Sequence, residues 1–295
     1  MNLRHLTYFV TAATTGNITR AAEQLSIAQP ALSMAIKKLE QELDLELFER
    51  IDKRIFLTSE GEVFLQHCKL ILQQVEDAQI ATAELKGLKK GTVTIGIPSM
   101  LGSYFFPKIL MSFKRRYPEI KLIVIEAGTQ SIRDMLVKGD LDIGVIINDN
   151  VPDQLHIEPL ITAKMVAVTS IDHPLATLTS ITFKQFLSHE LIMFRKGYFN
   201  REFIDNISQK SNISPNISFE TNLLPLILNI VRTGSAITSL LEIVTKEEPQ
   251  LAAIPFKPTV ALDVVMARRK NGYLSIAEKA FYQHVKQETD CHQVL

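Results

Sequence analysis

The chain has 295 residues, 46% of them hydrophobic, and its 32 Lys+Arg balance 32 Asp+Glu. At roughly 100–200 residues per domain this length suggests two domains with sizeable cores rather than a disordered chain, and a formal charge of zero excludes nucleic-acid binding by bulk attraction alone. Cys68 and Cys291 are the only cysteines, so no disulfide framework is expected. No apolar run approaches the length of a membrane span, and the start Met1-Asn2-Leu3-Arg4-His5-Leu6-Thr7-Tyr8 is not a signal core, so the expectation is a cytoplasmic protein without membrane association.

Leu3, Leu6, Phe9, Val10 and Ala13 recur at helical spacing up to Gly16. Two further helical patterns meet at a tight polar break between Asn17 and Glu40. The first has Thr19 placed as its cap and a core face of Ala22 and Leu25. The second has Pro30 in its first turn, where a missing N–H is harmless, and buries Leu32, Ile36 and Leu39 at i, i+4 and i+7. This is the sequence form of a helix-turn-helix, and it leaves Gln29, Ala31, Ser33, Met34, Lys37 and Lys38 on other faces. A turn and short strand follow over 51–58, with Arg50, Lys53 and Arg54 near the tip. Beside a helix-turn-helix such a basic hairpin is a wing for phosphates or a minor groove; on its own the default reading is a solvated charged turn. Residues 1–90 carry 11 Lys/Arg against 12 Asp/Glu, so any DNA contact must come from a local basic stripe.

From Thr58 to Leu88 the pattern is one long helix. Phe64, Ile71, Ala78 and Leu85 are spaced by seven, with Cys68, Val75 and Thr82 at plus four. That heptad seam implies a paired, dimerising helix, the alternative being an amphipathic helix packed on its own domain. Gly87-Leu88-Lys89-Lys90-Gly91 breaks the pattern and marks a boundary. Beyond it strands and helices alternate. Strands are expected at 92–97, 121–126, 141–147, 164–169, 191–194, 236–240 and 261–267; helices are expected at 105–113, 131–138, 199–209, 224–232 and 276–286. Repetition of this kind predicts a parallel α/β sheet.

In this order, Phe9, Thr19-Arg20-Ala21-Ala22-Glu23-Gln24-Leu25, Gln29-Pro30-Ala31-Leu32-Ser33, Ile36, Leu39-Glu40, Leu47-Phe48-Glu49-Arg50 and Leu57-Thr58 before Gly61 resemble the LysR-type transcriptional regulators, over essentially the whole chain. The resemblance implies an α/β protein with an N-terminal winged helix-turn-helix (1–58), a dimerising linker helix (59–90) and a two-lobed effector domain of the periplasmic-binding-protein type (91–295). Lobe I is expected at about 91–161 and 267–295, and lobe II at about 162–266. It also implies double-stranded promoter DNA, a small-molecule effector and RNA polymerase as partners, and a homodimer assembling to a homotetramer. Two positions depart from the family's habit. Ala28 stands where Ser or Thr often caps the second helix, and Met34 where Arg is common.

On that scaffold the DNA-facing residues are Thr19, Arg20, Gln29, Pro30, Ala31, Ser33, Met34, Lys37, Arg50, Lys53 and Arg54. Gln29 can pair with adenine and Ala31 can meet a thymine methyl, while the basic residues suit phosphates. The dimerisation seam is Phe64, Cys68, Ile71, Val75, Ala78 and Leu85. Ligands of open α/β sheets lie at strand carboxyl ends. Ser99 and Met100 after the first strand, Thr129 and Gln130 after the second, and Arg195 and Tyr198 from the other lobe are therefore the effector-binding candidates. Helix N-termini and positive charge there suggest an anionic or carboxylate ligand; capping is the alternative role for the hydroxyls. No GxGxxG, P-loop or HExxH string occurs, and the glycines of Gly96–Gly102 sit at the wrong offsets for a nucleophile elbow. The seven histidines are scattered, Cys291-His292 reads as an unstructured tail, and Asp140 and Asp142 read as solvated carboxylates. No catalytic residue, metal or cofactor is expected. The alternative of a different class is a solute-binding protein using the two-lobed domain for transport or sensing, which leaves residues 1–90 without a role.

Overall fold

The computed structural model describes residues 1–51, 54–85 and 91–290, which form two compact units, Met1–Leu88 and Lys89–Leu295. Lys53, the break at 86–90 and the Cys291-His292 tail lie outside the described residues, as do the side chains of Arg50 and Leu85.

The first unit runs α1 (Leu3–Thr15), α2 (Ile18–Gln24), α3 (Gln29–Leu43), β1 (Phe48–Ile51), β2 (Arg54–Leu57) and α4 (Ser59–Leu85). Its core is built from the apolar stripes of all four helices. Leu6, Phe9 and Ala12 meet Ala21, Ala22, Leu32, Ile36 and Leu39, and Phe48, Ile55 and Cys68 close the cluster. Phe9 is the common centre, with its ring centroid 5.2 Å from those of both Phe48 and Phe64. β1 and β2 pair antiparallel from Phe48↔Leu57 to Ile51↔Arg54, which is the expected wing.

Three local devices hold the wing in place. The Ile55 N–H donates to Gly16 O at 3.2 Å. The Glu40 carboxylate accepts from the Leu47 and Phe48 N–H groups at 3.0 and 3.3 Å. Thr58 Oγ1 donates to Glu46 O at 2.7 Å and accepts from the Gly61 N–H at 2.9 Å. The last contact needs a bare backbone, because a Cβ on Gly61 would stand 2.1 Å from Leu47 O.

The expected heptad seam is corrected in part. Cys68 is fully buried, so it serves the unit's own core and not a partner helix, while Phe64 is partly buried against the same cluster. Burial also pushes the Cys68 thiol up to about 12, which leaves it inert at neutral pH. Of the remaining described positions, Ile71 and Ala78 are exposed and Val75 is half-buried.

In the second unit the elements are β3 (Gly91–Ile97), α5 (Ser99–Tyr104), α6 (Phe106–Arg116), β4 (Ile120–Glu126), α7 (Thr129–Lys138), β5 (Ile143–Ile147), β6 (Leu155–Ser170), β7 (Ile181–Thr182), α8 (Phe183–Leu187), β8 (Glu190–Met193), α9 (Phe199–Ser211), β9 (Asn216–Glu220), α10 (Leu224–Arg232), β10 (Thr238–Leu241), α11 (Glu242–Lys246), β11 (Leu251–Arg269) and α12 (Ile276–Asp290). The main sheet has the order β10-β6-β11-β5-β3-β4, with β7 against β11; β8 and β9 form a second, parallel pair.

The sheet is mixed, not parallel throughout as expected. β3 runs parallel to β4 and β5, whereas β11 runs antiparallel to β5 and β6, and β10 antiparallel to β6. The reason is that β6 and β11 are far longer than their apolar runs suggest and pair from Leu155↔Arg269 to Ser170↔Leu251, with register shifts between Pro255 and Val260 and between Val264 and Val265. Asp142 is likewise not a free carboxylate, since its Oδ2 accepts from the Thr94 N–H at 2.7 Å and fixes the start of β5 to β3.

Two halves hang from these crossing strands. β11 already pairs with β5 at Val264–Ala267, so the return into the first half comes a few residues before the expected 267. No described helix is long and apolar enough to cross a membrane.

Replacing Gly61 by Ala should destabilise the first unit by roughly 1–3 kcal/mol, the usual cost of forcing a group into a packed site. The measurement is urea denaturation followed by far-UV circular dichroism. An unchanged first midpoint would mean that the wing exit and α4 do not meet as described.

Candidate functional site

On the first unit the functional surface follows from how α2 and α3 are started and which stripe each buries. α2 is capped by Asn17, whose Oδ1 accepts from the Thr19 and Arg20 N–H groups at 2.9 and 3.1 Å. Thr19, expected to be the cap, instead lies exposed in the first turn; Asn at this position is as good a cap as Thr.

α3 starts without a side-chain cap at Ala28, as the sequence implies. The deficit is small, because Pro30 has no N–H, and the Ala31 and Leu32 N–H groups both donate to Ala28 O, at 3.0 and 3.2 Å. Leu32, Ile36 and Leu39 are buried, each contributing roughly 1.5–3 kcal/mol of burial. That fixes the rotation of α3 and turns Gln29, Pro30, Ala31, Met34 and Lys37 to solvent, with Ser33 half-buried. Gln29 Nε2 donates to Ser33 Oγ at 2.9 Å, so one end of this face is already ordered.

Arg20 and Arg54, far apart in sequence, line one groove of about 690 Å³ between the α1–α2 corner and the wing, together with Asn17 and Glu62. Two guanidinium groups at the rim of a shallow groove beside an exposed helix face make a surface suited to a phosphate backbone. No ion pair is made by Lys37, Arg20 or Arg54 among the described residues.

In the second unit a cavity of about 640 Å³ lies where the two halves face each other. Its walls are the start of α7 (Thr129, Gln130, Arg133), the end of β5 (Ile147) with Asn148, Asp149 and Asn150, the start of α9 (Phe199, Glu202, Phe203, Asp205, Asn206), Lys196 and the crossing strand at Ala261, Leu262 and Asp263. No side chain caps α7 or α9, so both present N-terminal dipoles and backbone donors on this side.

Arg133 is buried, and donates to Ile147 O at 3.0 Å and to Asp149 O. Burial lowers its pKa, against the opposing charges of Asp149, Glu202 and Asp134, yet a guanidinium keeps its proton. Thr129 Oγ1 and Arg133 Nε are buried without a hydrogen-bond partner among the described residues, a cost native structures rarely carry without a use. Asp205 is committed to Arg201 at 2.8 Å, whereas Asp149 and Glu202 make no ion pair among the described residues.

Only two of the six expected ligand residues, Thr129 and Gln130, line this cavity. Three of the others lie where one half touches the other or next to such a contact. The Tyr198 hydroxyl donates to Glu126 Oε1 at 2.8 Å, and its ring stacks on Phe194 with centroids 5.1 Å apart. Burial and then Glu126 push this phenol above its ordinary value, so it remains a donor at neutral pH. Met100 Sδ accepts from the Leu241 N–H at 3.4 Å, and Ser99 stands half-buried beside it at the start of α5. A second clasp runs from the Tyr104 hydroxyl to Glu248 Oε1 at 2.6 Å, with Arg232 paired to the same carboxylate. Gly128 approaches Gly197 so closely that a Cβ on Gly128 would stand 2.2 Å from Gly197 O. Arg195 is exposed and uses its N–H on Asn222 Oδ1 at 3.2 Å.

Sequence reasoning missed Arg133, Asp149, Glu202, Phe203 and Asp263. Arg133 had a usable signal, as a cation one helical turn beyond Thr129. Asp263 had none, because it lies inside the expected strand at 261–267 and not at a strand end, where ligand residues were sought. No group of three or more His, Cys, Asp or Glu able to hold a metal occurs among the described residues.

Residues 3–62 match the bacterial regulatory helix-turn-helix protein, lysR family, and residues 86–290 match the LysR substrate binding domain. The chain belongs to the LysR family of transcriptional regulators. It is a ligand-responsive, sequence-specific DNA-binding regulator, with its reading head in the first unit and its small-molecule site in the second. Similar proteins include the HTH-type transcriptional regulator YvbU of Bacillus subtilis strain 168, itself uncharacterized, which is 31% identical and aligns over 97% of this chain and 98% of its own. Full-length CbnR, solved with its target DNA, has a TM-score of 0.67 at 20% identity and covers 97% of this chain and 99% of its own. The effector binding domain of QuiR in complex with shikimate has a TM-score of 0.61 at 21% identity, covering 70% of this chain and 100% of its own. At these identities the two solved structures establish a common fold.

Asn17→Ala should cost the first unit about 1 kcal/mol through loss of the α2 cap, whereas Thr19→Ala should leave stability within about 0.5 kcal/mol, as for an ordinary surface change. Thermal denaturation of the two variants side by side checks the assignment; equal losses would return the cap to Thr19.

Proposed function

We propose that the chain is a cytoplasmic transcription factor, without catalytic activity, whose α3 enters the major groove. Gln29, Ala31, Ser33 and Met34 face base edges, with Pro30 at the mouth and Lys37 at a phosphate. Thr19, Arg20, Arg50, Lys53 and Arg54 hold the phosphate backbone on either side. The observation that carries this reading is the burial of Leu32, Ile36 and Leu39, which turns Gln29, Pro30, Ala31, Met34 and Lys37 outward, while Arg20 and Arg54 share a groove on the same unit. CbnR was solved on its target DNA with the same fold, which supports the docking. After the needs of its own core are met, α4 still exposes Val63, Leu70, Ile71 and Ile80. Ile71, Val75, Ala78 and Leu85 with these residues are the remaining material for a homodimer that pairs into a homotetramer and presents two reading heads to one promoter and to RNA polymerase.

The ligand proposed for the cleft is a small carboxylate that also bears hydroxyl or amino donors. Arg133, Lys196 and the starts of α7 and α9 suit the carboxylate, and Thr129 and Gln130 add hydrogen bonds. Asp149, Glu202 and Asp263 on the facing walls suit donors on the same molecule. Shikimate, seen in the QuiR domain, has this combination of groups. Closure on such a ligand strengthens or loosens the clasps Tyr198–Glu126 and Tyr104–Glu248, and the change in the second unit is passed to oligomer geometry and transcription. Ser99, Met100 and Tyr198 then act in closure rather than at the walls, and Arg195 adds positive charge beside the exposed Lys196.

Gln29→Ala with Lys37→Ala should abolish specific operator binding while sedimentation still reports the wild-type oligomer. The salt slope of the remaining non-specific binding should fall by about one unit for the lost phosphate contact. Retention of wild-type affinity and slope in a gel-shift titration would remove α3 from the interface. For the cleft, a thermal-shift screen of hydroxy- and amino-carboxylates identifies ligands by their stabilisation. Thr129→Val should weaken the best of them about three- to tenfold, the ordinary value of one lost hydrogen bond, with operator affinity unchanged. An unaltered midpoint would exclude Thr129 from the site.

A further inference from the structure

Met34 is 72% exposed, the highest value among the exposed large apolar side chains of the described residues, ahead of Leu223 at 64% and Val63 at 63%. It stands in the middle of α3, on the face opposite the buried stripe. Pro30 and Ala31, also exposed, lie one turn before it at i−4 and i−3, and Lys37 and Lys38 lie one turn after it at i+3 and i+4. The exposed face thus has a polar edge, an apolar centre and a cationic end. It is polar at Gln29 and Ser33, apolar through Pro30, Ala31 and Met34, and cationic at Lys37 and Lys38.

A flexible thioether held out in water gains nothing for the fold, and Leu32, Ile36 and Leu39 already supply all the apolar surface that α3 buries. Its use is therefore in what docks on this face. The occupant follows from the neighbours. Lys37 and Lys38 make no ion pair among the described residues, so a polyanion suits the end of the face. The apolar centre is continuous with the surface assigned above to the major groove. The only apolar group a base pair presents in that groove is the C5-methyl of thymine. Gln29, exposed on the polar edge of the same helix, carries a carboxamide of the kind that pairs bidentately with adenine N6 and N7.

Resting on the DNA-binding reading of α3, we propose that Met34, seconded by Ala31, reads a thymine methyl group, so that each operator half-site carries a required A·T pair there. Recognition at this position is apolar packing, not the hydrogen-bonded reading of guanine that an arginine fork would give. Met34 adapts its three rotatable bonds to the methyl, and the pair is discriminated by the fit of one carbon atom.

The test uses the full-length protein and duplexes selected by it from a random-sequence pool. In the selected operator each dT is replaced singly by dU, which deletes the methyl group and keeps every hydrogen-bonding edge. For the wild type, dU at one position per half-site should weaken binding about three- to fivefold, the ordinary value of one buried methyl. In Met34→Ala the same replacement should change affinity less than about 1.5-fold, while the variant keeps the wild-type circular dichroism spectrum because the side chain touches no core. Met34→Arg selected from the same pool should recover a half-site with G at or beside that position. Insensitivity of the wild type to dU at every half-site thymine would overturn the proposal, and so would full dU sensitivity in Met34→Ala; either result leaves the DNA-reading role of α3 intact. Failure of the wild type to select any common half-site would overturn that role together with the proposal.

Discussion

β6 and β11 lie side by side from Leu155↔Arg269 to Ser170↔Leu251, and the whole second unit is suspended from that ladder. Each strand gives one end to the half that holds β5 and the other to the half that holds β10. Both halves are therefore continuous in hydrogen bonding, and neither can leave the other. The freedom that remains is rotation about the crossing, where the ladder is irregular between Pro255 and Val260 and between Val264 and Val265. Proline cannot donate to a ladder, and a bulge increases local twist, so the weak points of the pairing coincide with the place where bending does least harm. The cleft opens at that place, with Ala261, Leu262 and Asp263 in its floor.

The first unit obeys a different constraint. Its fold is a matter of which stripe of each helix is apolar, and Phe9 is the residue against which the others are aligned. Once Leu32, Ile36 and Leu39 are turned toward Phe9 and Ala22, the outer face of α3 is determined without any contribution from the residues on it. Glu40 then carries this orientation to the wing through its two backbone hydrogen bonds, and Gly61 carries it to α4. A reading surface whose own residues bear no structural load is free to change sequence, which is how Ala28 and Met34 are tolerated in a family that often places other residues there.

This division explains what was legible in the sequence. Helical spacing gave α1, α2 and α3 and their buried stripe, because a 3.6-residue period reports one buried face directly. The same signal misled at Cys68, since a heptad seam looks alike whether the surface it meets belongs to the same chain or to another. The long strands escaped notice because Pro255, Lys257, Pro258 and Thr259 interrupt the apolar run, and a register shift within a sheet leaves no local mark. Half of the cleft was hidden for that reason. Thr129 and Gln130 follow a recognisable strand, but Asp263 becomes a wall residue only when β11, which carries it, is known to cross from one half to the other under the cleft. Arg195 and Tyr198 were placed at a strand end correctly, yet strand-end position alone does not separate a residue that lines a cavity from one that closes it.

The contact between Gly128 and Gly197 has a further consequence. Two stretches of bare backbone touch where the halves meet, so the closed arrangement is limited by main-chain atoms and not by side chains that can swing aside. In the proposed closure, this approach of Gly128 to Gly197 O is a main-chain limit on how far the halves can turn toward each other. Selection for altered ligand preference can rework the cavity walls without shifting where closure ends. A side chain acquired at Gly128 would act as a wedge, and the altered set point would appear as misregulation with every ligand contact intact.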